Sequence, residues 1–190
     1  FPYTTLFRSG PLSFLFGADH SFLVKFTKIV EKYTQKCYYI STVGMTDKTK
    51  GEIIMVKVIM GVKGTGKTKQ MVETINAAVD NENGHIVCIE KGSKLVYDIK
   101  SSVRLVEASD YPIGGYNYLK GFVSGLHAGD YDITHIFIDS LYKISVCNDT
   151  LETEAFLQWC DEFGKANKID FTISISADVA TATDGIKKFF

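Results

Sequence analysis

Gly61-Val62-Lys63-Gly64-Thr65-Gly66-Lys67-Thr68 matches the pattern G-x-x-x-x-G-K-[ST]. A short β-branched run over 56–60 precedes it. An amphipathic stretch over 68–79 follows, with Met71, Val72, Ile75, Ala78 and Val79 on one helical face. Strand, glycine loop and helix in that order are what a phosphate cradle needs. The glycines let the backbone turn tightly, so that successive N–H groups point inward at phosphate oxygens. The helix that starts there adds the positive end of its dipole. Lys67 is long enough to reach outer phosphates, and the Thr68 hydroxyl is a candidate Mg²⁺ ligand. Lys63 and Lys69 surround the same site, so 61–69 is the candidate phosphate-binding stretch. The plainer alternative is a glycine-rich turn carrying a solvated lysine. At average residue frequencies the bare pattern arises in on the order of one chain per hundred of this length, so the strand and helix around it carry much of its weight.

Downstream, apolar runs and amphipathic stretches alternate. Asn81-Glu82-Asn83-Gly84 has the turn chemistry to stop the first helix. Residues 85–89 read as a second strand and 103–106 as a shorter third. A weaker helix follows Pro112, with Tyr116, Leu119, Val123 and Leu126 on one face. Residues 133–138 give a fourth strand and 171–175 a fifth. Between them, 150–163 reads as a helix with Leu151, Ala155, Phe156, Trp159 and Phe163 inward and Gly164 as its C-cap. Near-continuous apolar strands separated by helices predict an α/β fold: a three-layer sandwich around a mainly parallel five-stranded sheet, in one domain over 55–190.

A second acid is needed to hold a metal beside the phosphates. Ile136-Phe137-Ile138-Asp139 ends a buried strand in a carboxylate, which makes Asp139 the candidate partner of Thr68 on Mg²⁺, although an acid there also serves as a plain turn residue. The next residue is Ser140, so a base for the attacking water is missing from that place. Glu90, closing the second strand, is the leading substitute, with a solvated strand-end acid beside Lys91 as the alternative. Asp178, just past the fifth strand, is a further candidate, and Ser174 or Ser176 are candidate γ-phosphate sensors.

The order of loop, helix, Cys88-Ile89-Glu90 and Phe137-Ile138-Asp139-Ser140-Leu141 resembles the core of RecA-type P-loop ATPases over most of 55–178. The resemblance implies Glu90 as the base that activates water and Asp139 on the metal. The glycine loop is its one highly specific motif. The chain lacks RecA's polymerisation and DNA-binding segments. It is also similar to small bacterial P-loop proteins loosely labelled twitching-motility ATPases, while lacking the extra domain and the acidic and histidine boxes of pilus-retraction ATPases. Catalytic Lys67, Glu90 and Asp139, with ATP and Mg²⁺ as cofactors, are the resulting expectation. The activity is slow ATP hydrolysis or, alternatively, nucleotide-dependent switching without turnover.

Composition narrows the partners. Of 190 residues, 21 are Lys or Arg and 22 Asp or Glu, a net charge of −1. That balance argues against a dedicated nucleic-acid binder. Only two residues are arginine, Arg8 and Arg104. Small-molecule kinases clamp several phosphates with arginine forks, so this scarcity disfavours a kinase. It also leaves Arg104 as the sole in-chain arginine finger from Met55 onward. ATP is favoured over GTP because no N-K-x-D follows the fifth strand, and a protein partner is left open. No run approaches the ~20 apolar residues of a membrane span, and the cysteines are scattered, so a cytoplasmic protein with reduced thiols is expected. The histidines show no metal-ligand spacing.

The first 54 residues read differently. Phe1-Pro2-Tyr3-Thr4-Thr5-Leu6-Phe7-Arg8-Ser9 matches the translation of a synthetic adapter used in short-read DNA libraries. Lys50-Gly51-Glu52-Ile53-Ile54 back-translates to a ribosome-binding site before Met55. Residues 1–54 are therefore expected to be non-native upstream translation, irregular or loosely helical, with Met55 as the start. The competing reading is a natural N-terminus with a helix over 21–40, where Phe22, Phe26, Ile29 and Tyr33 share a face. The charge splits accordingly, +3 before Met55 and −4 from it onward.

Overall fold

A computed structural model describes residues 53–190, all within one compact unit, Glu52–Phe190. The expectations about the adapter-like segment and the helix over 21–40 lie outside the described residues.

Five strands form one sheet: β1 (Val56–Gly61), β2 (His85–Glu90), β3 (Arg104–Glu107), β4 (Ile133–Ile138) and β5 (Asp170–Ser176). Their order is β1-β5-β4-β2-β3, and every neighbouring pair is parallel. The sheet is thus wholly rather than mainly parallel. Helices α1 (Lys67–Asn81), α2 (Tyr116–Gly129), α3 (Leu141–Ser145), α4 (Thr150–Asn167) and α5 (Asp184–Lys187) connect or flank the strands.

Alternation along the strands sorts side chains into two cores. Ile59, Ile86, Cys88 and Phe137 face Met71, Ile75 and Ala78 of α1, together with Leu95 from the β2–β3 connection. Val58, Val87, Ile89, Ile136, Ile138 and Ile173 face the other way, onto Leu119 and Val123 of α2 and Phe156, Leu157 and Cys160 of α4. Helices on both faces explain why the strands read as continuous apolar runs. The outer edge of β1 is covered by the chain's end, where the Val58 N–H donates to the Phe189 carbonyl at 2.7 Å.

Helix α4 departs from its sequence pattern. It runs to Asn167, and Lys168 in the left-handed region (φ 61°) caps it in place of Gly164. Leu151 and Ala155 are exposed, Trp159 and Phe163 only half-buried, and the buried stripe is Thr153, Phe156, Leu157, Cys160, Asp161 and Gly164. Three of these are not hydrophobes, and each has a job. Thr153 hydrogen-bonds the Tyr116 hydroxyl at 2.7 Å, and Asp161 Oδ1 accepts from the Met55 N–H at 2.8 Å. Gly164 lets the helix approach the backbone closely: a Cβ there would lie 2.5 Å from the Ile169 carbonyl oxygen and 2.8 Å from Met55 Cβ. Gly164→Ala is therefore expected to destabilise the fold by about 1–3 kcal/mol, the usual scale of overpacking, read as a lowered thermal midpoint. An unchanged midpoint would contradict this packing.

Candidate functional site

All five strands point the same way, so their C-terminal ends share one edge, where ligands bind in open parallel sheets. Gly61, Glu90, Glu107 and Ser176 close their strands on that edge, and Asp139 follows β4 there.

The loop after β1 is shaped by two glycines with positive φ, Gly64 at 91° and Gly66 at 81°. Gly66 is the residue from which α1 starts, and at both positions a side chain would strain the backbone. Within the loop, Thr65 Oγ1 donates to the Val62 carbonyl at 2.9 Å. The Lys67 ammonium donates to that same carbonyl at 2.8 Å. Lys67 is buried at the base of the loop, whereas Val62, Lys63, Thr65, Thr68 and Lys69 are exposed. The first turn of α1 holds no acidic residue, so nothing there neutralises the positive helix end.

Asp139 extends β4 by one residue: its N–H donates to the Ile89 carbonyl at 2.9 Å, which sets Asp139 beside Glu90. Its oxygens take two hydroxyl donors, Ser174 Oγ at 2.7 Å and Ser140 Oγ at 3.1 Å. Ser174 Oγ in turn accepts the Ser140 N–H at 2.7 Å. Ser140 holds the left-handed conformation (φ 58°, ψ 56°) that allows both of its bonds. Such strain in a non-glycine residue clusters at functional sites.

Glu90 is 2% exposed. Its Oε1 accepts the Leu95 N–H at 3.1 Å. Burial pushes its carboxyl above the ordinary glutamate range, and the neighbouring Asp139 and Glu107 carboxylates push it the same way. Backbone hydrogen bonds from Leu95 and Lys94 pull against that rise. Among the described residues, no lysine, arginine or histidine forms an ion pair with Glu90 or Asp139. Two buried carboxylates side by side without a cation carry a desolvation cost that a divalent metal would relieve. Carboxylate oxygens are the donors that Mg²⁺ takes, and the Thr68 hydroxyl stands exposed in the first turn of α1.

No protein-family model matches the chain, and no curated protein matches it.

The remaining sequence candidates fall elsewhere. Asp178 is exposed, and its side chain caps a short 3₁₀ turn by accepting the Ala180 N–H at 2.9 Å. Ser176 is exposed and pairs in register with Gly61, while the Ser174 hydroxyl is committed to Asp139. Arg104 opens β3, at the far end of that strand from Glu107 and from the shared edge. Burial pushes the Cys88 thiol up, which leaves it unreactive.

Sequence spacing missed one cluster. His85, Asp130 and Asp132 bring ligand atoms within 4.8 Å of one another at the opposite edge of the sheet. His85 stands 45 residues from Asp130 in sequence, a separation that no local motif reveals. The His85–Asp130 hydrogen bond at 2.8 Å raises the histidine and lowers the aspartate, an exposed ion pair that accounts for the cluster without a metal. Among the described residues, no helix is long and apolar enough to cross a membrane.

Proposed function

We propose that the chain is a P-loop protein of the RecA-like type that binds ATP with Mg²⁺ at 61–69 and hydrolyses it slowly. The observation that carries this reading is the buried pair Glu90 and Asp139, which no cation among the described residues joins, on the same sheet edge as the glycine loop. The strand order supports it too: β5 separates the loop strand from the Asp139 strand, and Ser174 of β5 links the two through its bond to Asp139.

In this reading the loop N–H groups and the N-terminus of α1 bind phosphate oxygens. Lys67 exchanges its bond to the Val62 carbonyl for outer phosphate oxygens. Thr68 and Asp139 hold the metal, which supplies charge neutralisation at the phosphates when bound. Ser140 and Ser174 fix the Asp139 carboxylate so that it need not reorganise on binding. Glu90 accepts the proton of the attacking water at its carboxylate; its raised pKa brings it nearer the working pH of a base.

A second reading, a nucleotide-dependent switch without turnover, draws on two features. Glu90 Oε1 is already tied to the Leu95 N–H, and Arg104 stands away from the edge. Phosphate release from ATP and Mg²⁺, measured on the whole chain, separates the two. Slow release supports hydrolysis, saturable ATP binding without release supports the switch, and neither binding nor release overturns both.

A further inference from the structure

On the far side of Glu90 from the glycine loop, a cleft of about 400 Å³ opens between β3 and the connection that leads into it. This volume falls in the range of small-molecule sites, roughly 300–1,000 Å³. Glu90 and Glu107 both line it. They stand opposite each other in the register of β2 and β3, so two carboxylates share one end of the cleft. Glu107 Oε1 accepts the Gly92 N–H at 2.6 Å and a bond from the Ser109 hydroxyl. Among the described residues, the donors to these two carboxylates are neutral and no cation forms an ion pair with either. Lys100 also lines the cleft, and its ammonium pairs with Asp80. Ile99, Val103 and Leu105 make the walls apolar.

We propose that this cleft binds a small aliphatic ammonium: the charged head against Glu107 and Glu90, the methylene chain along Ile99, Val103 and Leu105. Charge complementarity argues for the head, because the buried Glu90 carboxylate and the half-buried Glu107 beside it repel each other until a cation joins them. The apolar walls argue for the chain, since a fully hydrated cation would leave them unused. The site stands on its own carboxylates and does not depend on ATP binding.

The test is calorimetric titration of the whole chain, without nucleotide, using 1,5-diaminopentane, 1-pentanol and Nα-acetyl-lysine methylamide at low ionic strength. The diamine is expected to bind saturably and at least about tenfold more tightly than pentanol, the scale of a charge-assisted hydrogen bond. Glu107→Gln keeps an oxygen for the Gly92 N–H and is expected to weaken the diamine about tenfold. Ser101→Trp, at an exposed position lining the cleft, is expected to abolish binding by filling it. Unchanged thermal midpoints in both variants show that the fold is intact. Equal binding of the lysine derivative would identify a protein side chain as the source of the ammonium, and weaker binding a free amine; either supports the site. No saturable diamine binding, pentanol binding as tightly as the diamine, or an unchanged affinity in Glu107→Gln would overturn it.

Discussion

Replacing Lys67 with alanine is expected to weaken ATP binding by about 3 kcal/mol, a factor of more than a hundred. The ammonium is the one buried cation at the loop, and a strongly charged phosphate chain has no equivalent partner once it is gone. The fold should survive. The lost bond to the Val62 carbonyl at 2.8 Å is worth roughly 0.5–1.5 kcal/mol net. The carbonyl lies in an exposed loop, where water can replace the donor. Titration of labelled ATP checks the binding, and a thermal melt checks the fold. Wild-type affinity in the alanine variant would remove Lys67 from the site.

Replacing Glu90 with glutamine should act on turnover and leave binding almost untouched. Loss of a general base costs about a hundredfold or more in rate, whereas glutamine retains an oxygen to accept the Leu95 N–H and so preserves the local structure. The same substitution has an opposite effect on stability. The folded-state pKa of Glu90 is raised, chiefly by burial, so the folded protein holds that proton more tightly than the unfolded chain. The contribution of Glu90 is therefore most favourable below the ordinary glutamate range and is lost as pH rises through the raised value. Glutamine has no charge to bury, so the variant should match wild type in acid and exceed it increasingly toward neutral pH. Thermal midpoints across that range give the sign. A variant that loses stability toward neutral pH would mean that the Glu90 charge is welcome where it sits, against its burial beside two other carboxylates.

Strands were the most legible feature of the sequence because burial on both faces leaves continuous apolar runs, and β4 coincides with its expected run, 133–138. The strand order was not legible, since apolar strands carry no mark of which neighbour they pair with. Apolar spacing misplaces the inward face of α4 where polar residues point inward: Thr153 and Asp161 are buried because they have partners, and Gly164 because it has no side chain. At the edge of the sheet, Gly61–Thr68 and Asp139 could be picked out from spacing. What spacing cannot give is the bond from Ser174 to Asp139, made across two strands, or the left-handed Ser140 that completes it. The paired carboxylates Glu90 and Glu107 were equally hidden, because their adjacency depends on the register of β2 with β3.

In the proposed reading, turnover is slow for two reasons. The arginine of β3 stands at the far end of its strand, and the base is held by a backbone N–H. A partner that brings a cation to this edge would accelerate release, whereas the chain alone would mostly bind.

The most direct measurement is equilibrium titration of ATP onto the whole chain, with and without Mg²⁺, alongside Asp139→Asn. The account predicts one saturable site that tightens when Mg²⁺ is present, and a loss of that tightening in Asp139→Asn while metal-free binding is retained. Absence of saturable binding, or a response to Mg²⁺ that is the same in Asp139→Asn as in wild type, would contradict it.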